Sequence, residues 1–79
     1  MSLRIIVKSE QIRGWIEERH GRPARRRNTD DLAVLFEGDK AEYEMLSIEE
    51  LIEAMRANRL VLLVDQEADK TYCEFIQHG

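Results

Sequence analysis

Apolar and polar positions along this 79-residue chain switch repeatedly between a period of two and a period near 3.6, and each switch marks an element. Arg4-Ile5-Ile6-Val7 is β-branched and reads either as a short strand or as a loosely held arm. Ser9 is a good N-cap and Glu10 suits the positive end of a helix. Ile12, Trp15, Ile16 and Arg19 then recur at i, i+3, i+4 and i+7, which predicts an amphipathic helix from Glu10 to His20. Gly14 weakens that helix by about 1 kcal/mol relative to alanine, and its missing side chain suits close packing. Gly21 fits the left-handed position after the helix, and Pro23 follows as a stop.

Residues Arg22 to Asn28 read as extended or looped, because Pro23 disfavours helix at Arg22. Leu32, Val34 and Phe36 alternate with Ala33, Leu35 and Glu37 as a strand, and Gly38-Asp39-Lys40 is turn material. Tyr43 and Met45 alternate with Glu42 and Glu44, so the two runs predict an antiparallel hairpin. The clearest local signal is Ser47-Ile48-Glu49-Glu50, a capping box that opens a helix from Ile48 to Ala57 with Ile48, Leu51, Ile52 and Met55 on its apolar face. Leu60 to Val64 is continuously apolar, as in a buried central strand. Gln66 to Asp69 reads as a turn, Thr71 to Ile76 as a final strand, and His78-Gly79 as a frayed end. The expected fold is α+β: a single small domain over residues 1–79 in the order (β)-α-β-β-α-β-β, with an antiparallel sheet carrying two helices on one face.

Composition fits that fold. With 43% apolar and 35% charged residues the chain is suited to a compact domain. A chain this short buries only about 60% of its unfolded surface, which favours pairing with a second copy. One cysteine, Cys73, allows no internal disulfide. No apolar run reaches membrane-spanning length, and the start does not read as a signal peptide, so the expected location is cytoplasmic.

Charge changes the picture more. Met1 to Asn28 holds eight Arg or Lys against three Glu, a formal +5, and Thr29 to Gly79 holds four against thirteen acids, a formal −9. Five arginines fall within nine residues: Arg19, Arg22, Arg25, Arg26 and Arg27. Such a cluster has two uses. It pairs with the acidic half, within the chain or across a homodimer, or it holds phosphate oxygens in planar two-bond contacts. Interleaved aromatics for base stacking are missing and the net charge is −4, so pairing is the leading expectation.

The remaining candidates read as structural. Trp15 lies on the apolar helix face, Cys73 is in register with Phe75, and His20 sits at a helix end where a charged imidazole complements the dipole. A nucleophilic Cys73 would need a base, and only His20 and His78 are available. Asp65-x-Glu67-x-Asp69 starts like a calcium loop, but Lys70 stands where glycine is required and Ile76 where the bidentate glutamate is required. No phosphate-binding glycine loop, zinc spacing or nucleophile elbow is present.

Trp15, Glu17, Arg19, Gly21, Pro23 and Ala24, then Thr29, Ser47 to Glu50, Leu60 to Val64, Gln66 and Phe75 form a pattern that resembles a group of small bacterial proteins of unknown function. The pattern departs at His20, where the group has Gly, and at Ile48, where it has Trp. Members are often labelled 1,4-alpha-glucan branching enzyme. That label does not suit this chain, because branching enzymes resemble (β/α)₈-barrel glycosidases of about 250 residues with paired carboxylates in a cleft. The resemblance implies one compact domain and supplies no activity. The expectation is a non-enzymatic interaction or accessory domain with no cofactor, self-associating or docked on a protein partner through charge complementarity. The alternative is RNA, DNA or phosphate binding through Arg19, Arg22, Arg25, Arg26 and Arg27.

Overall fold

The computed structural model describes residues 2–38 and 41–78. The expected turn residues Asp39 and Lys40 and the expected frayed end at Gly79 lie outside them. The fold is α+β with eight elements: β1 (Leu3–Ile6), α1 (Ser9–Glu18), β2 (Arg22–Arg26), β3 (Leu32–Leu35), β4 (Tyr43–Met45), α2 (Ile48–Ala57), β5 (Leu60–Asp65) and β6 (Cys73–Gln77). The α2 span matches its sequence signal, and its box is closed: Glu50 N–H donates to Ser47 Oγ at 3.0 Å, and Ser47 N–H donates to Glu50 Oε1 at 2.8 Å. In α1 the expected Ser9 cap is displaced by one residue. The Lys8 carbonyl accepts the first helical bonds from Gln11 and Ile12, so Ser9 is already inside the first turn.

The expected hairpin between β3 and β4 does not form. Both strands pair antiparallel with β2, the arginine-rich segment read from sequence as extended or looped, giving the order β3-β2-β4. A strand at a sheet centre needs free backbone groups and slim neighbours more than hydropathy. Ala24 supplies the slim position and is fully buried, while Arg22 and Arg26 on either side of it are exposed. Pro23 has no N–H to give, but it lies opposite Leu46, just past the end of β4, whose N–H donates to the Pro23 carbonyl at 3.0 Å.

A second three-stranded antiparallel sheet has the order β1-β5-β6, with Leu60 to Asp65 as its central strand. The single sheet expected from sequence is therefore divided in two. The main core joins Ile12, Trp15 and Ile16 of α1 and Leu51 and Met55 of α2 to Ile6, Leu62 and Val64 of the β1-β5-β6 sheet. Leu32, Val34 and Phe36 bring the second sheet against the same cluster. Helices thus cover the inner side of both sheets. The molecule measures 32 × 31 × 19 Å, a thickness that accommodates one sheet layer and one helix layer at about 10 Å each.

Two glycines behave differently from expectation. After α1 the left-handed residue is His20, with φ 56°, and not Gly21. His20 N–H donates to the Glu17 carbonyl and Gly21 N–H to the Ile16 carbonyl, the paired bonds of a Schellman end. Gly21 is needed for space: a Cβ there would stand 2.7 Å from Val34 Cγ1 and 2.9 Å from Phe36 Cε1. Gly14, expected to permit close packing, has nothing within 4 Å of where its Cβ would lie. Chemical denaturation should therefore separate them. Gly14→Ala should stabilise the chain by about 1 kcal/mol through helix propensity, whereas Gly21→Ala should destabilise it by about 1–3 kcal/mol through overpacking.

Candidate functional site

The five clustered arginines are placed by three different elements and do not converge. Arg19, the residue that caps the C-terminal end of α1, has a side chain only 3% exposed. Its Nε donates to the Lys70 carbonyl at 2.6 Å, Nη1 to Trp15 at 3.1 Å, and Nη2 to Glu67 at 2.9 Å and Asp65 at 3.3 Å. The guanidinium also lies 4.4 Å from the Trp15 ring centroid, a cation–π contact. Arg19 thereby fastens the β5–β6 loop to α1. Trp15 completes the node: its Nε1 donates to the Asp65 carbonyl at 2.8 Å, and its ring meets Phe36 edge-on at 5.9 Å. Asp65 is itself buried and accepts the Glu67 N–H at 3.0 Å, which starts the loop.

Strand alternation separates the rest. Arg25 faces α2, and its Nε donates to Glu44 Oε1 of β4 at 2.7 Å, directly opposite in register. Arg22 and Arg26 take the opposite face of β2, on either side of Ala24. Arg22 is engaged by neighbours, and the Arg26 guanidinium has no hydrogen-bond partner among the described residues. Arg27 lies beyond the strand and donates from Nε to the Ala41 carbonyl at 2.8 Å. Asn28 at φ 63° and the Thr29 hydroxyl, which donates to the Arg26 carbonyl, then turn the chain into β3.

A different surface gathers more residues of one kind. On the β1-β5-β6 sheet, Ile6, Leu62, Val64, Cys73 and Phe75 point to the core, so their neighbours in sequence point to the other side. Those neighbours are Leu3, Ile5 and Val7 along β1 and its end, Val61, Leu63 and the terminal Asp65 on β5, and Tyr72, Glu74 and Ile76 along β6, so the face is apolar except for an exposed acid, Glu74, opposite Leu63. Val61 is buried but stands outside the main core cluster, as a residue screened by its neighbours on an outer face would. Leu3, Ile5, Val7 and Tyr72 are 44%, 54%, 64% and 46% exposed. Sequence reasoning read Leu60 to Val64 as a buried central strand and the sheet as carrying helices on one face, without naming what the other face presents. The alternation of exposed Leu3, Ile5 and Val7 around buried Ile6 was the available signal that one face is open.

Cys73 is half-buried, and burial pushes its thiol up from 9.0 to about 11. It lines a cleft of about 650 Å³ between β3 and β6, together with Asp30, Asp31, Val34, Glu74 and Phe75. Among the described residues, no group of three or more His, Cys, Asp or Glu side chains is arranged to hold a metal ion. No helix among them is long and apolar enough to cross a membrane. The chain matches no family model, no curated protein and no solved structure.

Two outcomes test this picture. Arg19→Lys should destabilise the chain by about 2 kcal/mol, because the planar fork to several carbonyls and the ring contact are lost together; Trp15 fluorescence during urea unfolding reads this. Cys73 should react slowly with a thiol reagent at pH 8 in the folded chain. Its folded value lies above its unfolded one, so its contribution to stability is complete below pH 9.0 and is lost as pH rises toward 11.

Proposed function

We propose that this chain is a non-enzymatic interaction domain that pairs with a second copy of itself through the outer face of the β1-β5-β6 sheet. The observation that carries the reading is the run of exposed Leu3, Ile5, Val7 and Tyr72 on that face. At about 150–220 Å² for each side chain fully exposed, these four present on the order of 400 Å² of apolar-rich surface, the size at which a patch on a small domain marks a contact. Two copies would bury about 800 Å² of it. With apolar atoms supplying roughly 60% of an interface, the total comes to about 1,300 Å², inside the range of stable complexes.

This reading keeps the self-association expected from the charge split and assigns it a different cause. Arg25 has its acidic partner, Glu44, within the same sheet, and Arg19 is committed to carbonyls, which leaves less cationic surface for another copy or for a polyanion. Sedimentation equilibrium between about 1 and 200 μM should show a reversible dimer in the micromolar range. Ile5→Glu, which adds a second acid to the face across Leu63 from Glu74, should yield a monomer with an unchanged circular dichroism spectrum. A wild-type monomer across that range, or an Ile5→Glu dimer, would overturn the reading.

A further inference from the structure

Strands β3 and β6 each end a sheet, and they lie side by side with no backbone hydrogen bond between them among the described residues. Alternation identifies the groups that face the seam. Arg26 N–H donates to Asp31 and Arg27 N–H to Glu42, so even-numbered residues of β2 turn their backbone toward β3 and odd-numbered ones toward β4. Leu32 and Val34, which lie opposite Arg25 and Pro23, therefore turn their own N–H and C=O groups away from β2 and into the seam. In β6, His78 N–H donates to the Arg59 carbonyl and the Tyr72 carbonyl accepts from Asp65, so the even-numbered residues face β5. Cys73, Phe75 and Gln77 are left facing the seam. Two rows of unpaired donors and acceptors thus confront each other.

The space between them is the cleft of about 650 Å³. Its inner side is apolar, with Leu32, Val34 and Phe75 packed on the core. Asp31 and Glu74 alternate with these residues and are exposed, Asp30 lies beside them, and no Lys or Arg lines the cleft. Neither proline nor lysine, two of the residues that commonly blunt an edge, occurs in β3 or β6.

We propose that this seam accepts an extended peptide segment of a protein partner, with Lys or Arg at alternate positions, which adds as a strand between β3 and β6. Backbone bonds to Leu32, Val34, Cys73, Phe75 and Gln77 would provide the affinity common to strand addition. Apolar residues on one side of the segment would meet Val34 and Phe75, and cations on the other would meet Asp31 and Glu74. Cα atoms of β3 and β6 approach within 8 Å, whereas an inserted strand needs about 9.6 Å, two strand spacings. The seam must widen by a few ångströms, and no hydrogen bond between the edges resists that. The backbone contacts of this proposal are separate from self-association, but Glu74 also stands on the outer face of β1-β5-β6, beside Tyr72 and opposite Leu63, so its substitution is read in the monomeric Ile5→Glu background.

The test uses the full chain and a fluorescein-labelled hexapeptide of alternating valine and lysine. Anisotropy should give binding in the tens of micromolar, and the same binding on the monomeric Ile5→Glu variant. Replacing the lysines by glutamate, or N-methylating the valines, should each weaken binding at least tenfold, and Glu74→Lys in the Ile5→Glu background should weaken it about fivefold with the melting temperature unchanged. The Val34 and Phe75 amides should exchange rapidly in the free chain and slow at least tenfold on binding. Equal binding by the N-methylated peptide would reduce the effect to charge alone and overturn the proposal. So would amides already protected in the free chain, or a failure of the lysine peptide to bind.

Discussion

The Arg19 guanidinium stands where the end of α1, the indole of Trp15 and the loop leaving β5 come together. A charge removed from water there is tolerable because carbonyl oxygens from both sides of the joint and an aromatic face replace its hydration. The loop carbonyls it gathers have no strand partner of their own, so the same contact satisfies two deficits. It also fixes the start of β6 relative to α1, and through Phe36 on the far side of Trp15 it relates the second sheet to the first. The inner surface of the molecule is organised around this joint, and the outer surface is what remains once the helices are committed inward.

The division into two sheets has a physical origin. Gly21 lets the chain leave α1 close to Val34 and Phe36, which draws the second sheet toward the core at that point. The first sheet is anchored separately, through Ile6, Leu62 and Val64. Each is held by its own side chains and not by bonds to the other, so a seam persists between neighbouring edges. A domain of this size, with helices on one side only, has open sheet surface and unpaired backbone, both of which are means of contact.

Much of the architecture was legible in the residues. The capping box of α2, the i, i+3, i+4 face of α1 and the apolar run of β5 each reflect local chemistry that tertiary context reinforces. What escaped was non-local. An arginine-rich stretch with a proline does not announce a central strand, because its stability comes from the two partners it acquires on either side. The left-handed role fell to His20 because α1 closes its final bonds one residue earlier than expected, while Gly21 meets a separate demand, space against Val34, that is visible only in three dimensions. The arginine cluster looked like one feature because adjacency in sequence is not adjacency on a strand: Arg25 and Arg26 necessarily face opposite ways. The open face was partly readable, in the alternation of β1, but hydropathy alone does not say whether a second layer covers it.

Pro23 has one more consequence. Opposite Leu46 it accepts a hydrogen bond but returns none, so the ladder between β2 and β4 finishes on half a rung. The Leu46 carbonyl is thereby released from the sheet at the residue before Ser47, where α2 takes its cap. A missing proton on β2 thus coincides with the end of a strand some twenty residues later in the chain and with the change from sheet to helix. The boundary of α2 is written twice, once in its own capping box and once, remotely, in the ring of a proline.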